Sequence, residues 1–311
     1  LPLSVLERVL RLVVEETADD KEYALVLRGL PLVSKWMLTA LRELHLPFGC
    51  IKLTSVEAAV QLATSSNRAW DLGVLRLKGV ADVSALPSCK ALHTLTLQNC
   101  SGVTDVSALA DCAALQALRL WDCSGVTDVS ALAGCKKLQA LILQNCSGVA
   151  DVSALAGCAA LQTLCLTDCS GLTDVTAVLA GCKKLQTFCM QWCRVTDVSA
   201  HMSALAGCAA LQKVDFTMCD EVTDVSALAG CAALQTVCLQ GCHGVTDVSA
   251  LAGCKKLQTL VLCNTGANRR VGACGLRGAA DASLARVRQS DGRVGACGMQ
   301  EATDALAESH R

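Results

Sequence analysis

Val103–Gly125 reads VTDVSALADCAALQALRLWDCSG, and nearly the same 23 residues recur from about Asp82 to Leu262. Asp105, Asp128, Asp151 and Asp174 follow one another at steps of 23. A fixed period in this range marks a solenoid, in which each unit is too small to bury its apolar side alone and gains a core by stacking on its neighbours. Within the unit, Leu118 and Leu120 alternate with the outward positions Arg119 and Trp121 as a strand does. Only about ten residues separate each aspartate from the next such strand, which leaves room for a short turn on the opposite wall.

Working outward, the frame L-x-x-L-x-L-x-x-C holds at Leu92, Leu95, Leu97 and Cys100, at Leu115, Leu118, Leu120 and Cys123, and at Leu138, Leu141, Leu143 and Cys146. Later units vary it with Phe188 and Met190, Val214 and Phe216, and Val237 and Leu239. This pattern resembles the leucine-rich repeat, with cysteine where many members carry asparagine. The half VTDVSALAGC is similar to the short repeats of internalin-like proteins, whose outer wall is a tight helical turn. The resemblance implies an α/β fold: a leucine-rich repeat solenoid with a parallel concave sheet and short helical turns on the convex side, spanning 72–264. Two defects interrupt the period. Val178 is an extra residue, offset by a missing glycine before Arg194, and Ala200–Ser203 inserts four residues that should bulge on the convex or edge side.

Composition narrows the function classes. The chain of 311 residues is 52% hydrophobic but only 3% aromatic, so its core rests on Leu, Val, Ala and Cys. The 27 basic and 28 acidic residues are dispersed, which argues against nucleic-acid and membrane partners. No apolar run is long enough to span a bilayer. Most of the 22 cysteines fall in two columns, one through Cys112, Cys135 and Cys158 and one through Cys123, Cys146 and Cys169. Stacked coils point such side chains in parallel, unlike the converging Cβ atoms of a disulfide. They read as small buried side chains in a reducing compartment, cytoplasmic or nuclear. Metal ligation is not expected, because His93, His201 and His243 occupy unrelated positions. The aspartate column lacks the Asp-x-Asp spacing of a calcium loop and reads as turn bonding. No catalytic constellation and no cofactor motif is present, so the chain is expected not to be an enzyme.

The two ends differ from the array. In 1–50, Leu3, Leu6, Val9, Leu10 and Val13 stand at helical spacing, and a second apolar-periodic segment runs through Leu25, Leu32, Val33, Trp36, Met37 and Leu41. Leu1-Pro2, Leu6, Val9-Leu10 and the run Leu32–Trp36 lie in the order of an F-box, which this helical module resembles. It departs from that family in the acidic Asp19, Asp20 and Glu22 and in Trp36 directly following Lys35. The resemblance implies that Leu1, Pro2, Leu6, Leu10, Val33 and Trp36 bind the small adaptor subunit of a cullin-type ubiquitin ligase. The alternative is a helical cap over the first coil. Residues 51–71 form a transition. After Leu262 the leucine frame collapses, and 265–311 is expected to be a poorly ordered tail. Arg270–Gly275, RVGACG, nevertheless recurs at Arg293–Gly298, and codons for Cys297–Ala305 displaced by one base can read GCKKLQTL, so the tail reads as out-of-frame repeat sequence.

Ligand contact is expected on the strand positions facing outward between the leucines. These are Arg119, Trp121 and Asp122, then Gln144 and Asn145, Asp168, Gln191 and Trp192, and Lys213 and Asp215. Tryptophan flanked by arginine and aspartate has the composition of an interface hot spot. The function expected is a protein- or peptide-binding scaffold, first as the substrate-recognition adaptor of a ubiquitin ligase. The alternatives are a scaffold without ligase coupling and a surface adhesion protein of internalin-like type.

Overall fold

The computed structural model describes residues 24–27, 50–53, 74–89, 92–193, 198–263 and 265. Each leucine frame forms a strand because its alternating apolar residues fit a pleated, half-buried surface. The strands are β1 (Ala24–Leu27), β2 (Cys50–Leu53), β3 (Val74–Lys78), β4 (Thr94–Gln98), β5 (Ala117–Trp121), β6 (Ala140–Gln144), β7 (Thr163–Thr167), β8 (Thr187–Gln191), β9 (Lys213–Asp215), β10 (Thr236–Cys238) and β11 (Thr259–Val261). They form one parallel sheet in chain order. The register follows the repeat, so that Leu95, Leu118, Leu141, Leu164 and Phe188 make a single inward row.

The sheet begins earlier than the boundary at Leu72. β1 and β2 pair with each other and β2 pairs with β3, so Leu25 belongs to a strand and not to the second segment of a helical module. The remainder of 1–50, with Leu1, Pro2, Leu6, Leu10, Val33 and Trp36, lies outside the described residues, as do 54–73 and 266–311.

The wall opposite the sheet is made of single 3-10 turns at Ser107–Asp111, Ser130–Gly134, Ser153–Gly157, Ser226–Gly230 and Ser249–Gly253. The aspartate column starts them. Asp105, Asp128, Asp151 and Asp224 each accept the backbone N–H two residues on at 2.7 Å, an Asx turn that satisfies a donor the short helix cannot. The N–H of Ser107, Ser130 and Ser249, with their hydroxyls, holds the carboxyls of Asp105, Asp128 and Asp247 below the usual carboxylate range.

Val178 is absorbed by a change of helix type. In the regular coil Leu155 N–H bonds to Val152 C=O, three residues back, whereas Leu179 N–H bonds to Val175 and Cys182 N–H to Val178, four back. One extra residue thus turns a 3-10 turn into α1 (Thr176–Gly181) without disturbing the register of β7 and β8. The four-residue insertion enlarges the next outer turn into α2 (Val198–Leu205). It also sends His201 inward, 2% exposed, where its Nε2 accepts the Val175 N–H at 3.1 Å and lies 3.0 Å from Asp174 Oδ1.

Between the walls, leucine and valine fill one continuous core. Cys123, Cys135, Cys146, Cys158 and Cys169 of the two columns form no disulfide. Their thiols do more than fill volume, because each of these five points at a carbonyl of the preceding coil. In the first column Cys135 Sγ lies 3.1 Å from Leu109 O and Cys158 Sγ 3.4 Å from Leu132 O. In the second, Cys146 Sγ lies 3.5 Å from Leu120 O and Cys169 Sγ 3.7 Å from Leu143 O. Thiols are weak donors, and here the first column reaches carbonyls of the outer turns and the second reaches carbonyls of the strands. Burial, with smaller effects from neighbouring thiols, pushes Cys135, Cys182 and Cys231 up to about 11 and Cys169 and Cys242 up to about 12.

Candidate ligand-binding face

The pleat that sends one leucine row inward sends the intervening residues to the open side of the sheet, in rows that cross the coils. One row runs Thr94, Ala117, Ala140, Thr163, Thr187 and Lys213, and the next Thr96, Arg119, Ile142, Cys165, Cys189 and Asp215. A third runs Gln98, Trp121, Gln144, Thr167 and Gln191. Strands about 4.8 Å apart let neighbours cover the small side chains of the second row. Ile142, Cys165 and Cys189 form a buried apolar cluster there, distinct from the main core.

A fourth row follows the strand ends. Asn99, Asp122, Asn145, Asp168, Trp192 and Met218 all have φ between 52° and 60°, and Gly241 has 74°. This is the left-handed region, in which asparagine, aspartate and glycine are tolerated and other residues are strained. The conformation carries each strand into the next turn while keeping the ladder: Asp122 N–H bonds to Gln144 C=O, and Asn145 N–H to Thr167 C=O, both at 2.9 Å or less.

The residues expected to contact a ligand therefore divide. Asp122, Asn145 and Asp168 are exposed, but their side-chain type is explained by the backbone they occupy, and Asn145 Nδ2 donates to Asp122 Oδ1 at 2.8 Å. Gln191 and Asp215, expected on the open face, are buried. Gln191 Nε2 donates to Asp215 Oδ2 at 2.8 Å, and the other carboxylate oxygen accepts the Thr217 N–H and hydroxyl, so this pair fixes the irregular coil where β9 shortens. Arg119, Trp121, Gln144 and Lys213 are half-buried. Trp121 and Trp192 stand in different rows: Trp121 ends β5, and Trp192 occupies the left-handed position after β8. Three strand spacings, about 15 Å, separate their coils.

Trp192 is the residue the fold does not account for. It is 48% exposed and has φ 58° where other coils place asparagine or aspartate. Met218, next in the row, also has a left-handed φ, and its side chain lies where a Cβ on Gly241 would be. Trp192, Met218 and Gly241 thus form an apolar rim in an otherwise polar row. The signal was present in the sequence as the alternation Asn99, Asp122, Asn145, Asp168, which marks a left-handed column and shows Trp192 as its exception.

Among the described residues no group of three or more His, Cys, Asp or Glu side chains is placed to hold a metal, and no helix is long and apolar enough to cross a membrane.

No protein-family model matches the chain. No curated protein matches it either. Solved structures do. Internalin C2 from Listeria monocytogenes is 26% identical over 68% of this chain and 84% of its own, with a TM-score of 0.51. TLR13, solved in complex with ssRNA13, is 15% identical over 70% of this chain and 32% of its own, with a TM-score of 0.55, so the chain spans about a third of that receptor. With the parallel strand rows and the single outer turns, these likenesses define the architecture: the chain folds as a leucine-rich repeat solenoid.

Proposed function

We propose that the chain binds a protein or peptide across the open face of its sheet, with Trp192, Met218 and Trp121 as the apolar contacts and Arg119 and Lys213 as polar ones. The observation that carries this reading is the exposed indole of Trp192 at a backbone position that disfavours it. Strain kept at an exposed site points to a use outside folding, and tryptophan is the residue most enriched among interface hot spots. The charges on this face are mixed, with Arg119 and Lys213 set among the exposed Asp122 and Asp168. That balance supports a polypeptide partner over a nucleic acid, whose phosphates require a one-signed basic surface.

Affinity capture with the full chain, with Trp192→Gly and with Trp121→Ala tests the reading. A partner held by the parent chain and released by both variants is the expected result. A partner held equally by all three overturns it. Coupling to a ubiquitin ligase is a finer proposal, supported by the order of Leu1-Pro2, Leu6, Leu10, Val33 and Trp36 alone. Its test is direct binding of the small cullin adaptor to the full chain, and loss of that binding in Leu10→Asp.

A further inference from the structure

Two observations meet at the far end of the array. The first is the apolar end of the stack, where burial falls only slightly. In the interior coil Leu228, Leu234 and Val237 are 0% exposed, whereas their equivalents one coil later, Leu251 and Leu260, are each 4% exposed and Leu257 is only partly buried. β11 has β10 on one side and, among the described residues, no strand on the other. Interior coils cover this face with the next coil.

The second observation lies in the codons that Gly266–Ala305 can use. A frame displaced by one base takes the second and third bases of each codon and the first base of the next. Met299 has only the codon ATG, and every glutamine codon begins with C, so Met299-Gln300 yields TGC, cysteine, without choice. Gln300-Glu301 and Glu301-Ala302 each yield AAG or AGG, lysine or arginine, a basic residue in either case. Those are the Cys-Lys-Lys of Cys254–Lys256. Elsewhere each pair of codons permits several outcomes, with the repeat residue among them. Arg269-Arg270 as CGA CGT gives GAC, aspartate, and Val271 as GTC before glycine gives TCG, serine.

Carried through, Gly266–Ala282 admits GLTDVSALAGCAALQTL, whose last fourteen residues are those of Asp151–Leu164 and whose first five are those of Gly171–Val175. Asp291–Ala305 admits TDVSALAGCKKLQTL, identical to Thr246–Leu260. Between them, positions 284, 287 and 290 admit the leucine, the second-column cysteine and the valine that the array requires there. The two displaced aspartates fall at 269 and 292, again 23 apart. An unrelated tail would soon reach a pair of codons that forbids the repeat residue, and none occurs through either stretch.

We propose that the coding sequence of residues 266–305 carries two further coils of the array, one base out of register, and that these coils are the natural cover of the open face beyond β11. The partner of that face is thus the array's own continuation and not a second chain. Leucine occupies the displaced frame at Ala273, Ala279, Ala282, Ala296, Ala302 and Ala305 only if each of these alanines is encoded by GCT, because the other alanine codons place proline, arginine, glutamine or histidine there.

Sequencing the gene and its transcript reads this directly. GCT at all six alanines, with no stop in the displaced frame, is the expected result; any other alanine codon at two or more of them, or a stop, overturns the proposal. The structural half has its own readout. A chain extended in the displaced frame should slow amide exchange at Leu251, Leu257 and Leu260 by about tenfold or more relative to the chain as it stands. Unchanged exchange in an extended chain that folds, as judged by retained protection at Leu228 and Val237, would show that the added coils do not cover this face.

Discussion

Replacing Trp192 by glycine and, separately, by alanine isolates the left-handed backbone from everything the indole does. Both variants lose the same aromatic contacts, so that loss cancels in their difference. What remains is the conformation at φ 58°. An L-residue with a Cβ costs roughly 1–2 kcal/mol there, a penalty that alanine keeps and glycine escapes. Glycine in turn loses about 0.5–1 kcal/mol through its freer unfolded chain. The balance makes Trp192→Gly more stable than Trp192→Ala by about 0.5–1 kcal/mol. At Ala140, within β6 and without a positive φ, the same alanine-to-glycine exchange has the opposite sign. Urea unfolding of the three proteins measures this; with a slope of about 3 kcal/mol per molar, the Trp192 pair should differ by about 0.2–0.3 M in midpoint. Both variants should fall equally short in ligand capture, because neither presents the indole. If alanine is as stable as glycine at 192, the strain argument fails, and with it the reason for assigning Trp192 to binding.

Other consequences follow from the interior. Cys135 Sγ is 3.1 Å from its carbonyl and Cys169 Sγ 3.7 Å from its own, so a serine hydroxyl, on a shorter bond, keeps a partner more readily at 135. Cys169→Ser should cost about 1–3 kcal/mol in urea unfolding and Cys135→Ser clearly less; equal losses would contradict the thiol–carbonyl ladder. Burial raises the thiols of Cys135, Cys169 and Cys242 in the folded chain, so their contribution is complete below the unfolded cysteine range near 9 and is lost as pH rises toward 11 and 12. Stability measured from pH 8 to 12 should therefore fall steadily, and the fall should shrink in a chain with Cys169 and Cys242 replaced by alanine. His201→Ala leaves the Val175 N–H buried without its acceptor and should cost about 1–3 kcal/mol. A melting curve unchanged by it would mean that the insertion is only a surface bulge.

Much of this molecule is legible in one 23-residue unit. The leucine spacing gives the strand and its inward face, the aspartate gives the turn, and the short interval between them leaves room only for a single outer turn. These follow because each depends on neighbours within a few residues or at the repeat distance. The features that escaped depend on quantities a sequence does not carry. The thiol–carbonyl contacts rest on distances between coils, and Gln191 with Asp215 looked like surface residues until the shortened β9 placed them against each other. Reading His201 as part of a bulge missed that the longer outer turn lets it reach back to Val175. β1 and β2 were not anticipated because their leucines do not keep the period. The left-handed row could have been found from its Asn and Asp residues, since those types tolerate that backbone for a stated reason.

The exchange of a 3-10 turn for an α turn at Val178 amounts to an expansion joint. The pitch of the sheet is locked by its backbone ladder, while the outer wall takes up an added residue by rewinding one turn. A change of length in one unit is thereby discharged on the side away from the open face of the sheet. The sheet can keep its rows aligned across coils whose perimeters differ, and new specificity can be written one coil at a time without retuning the coils on either side.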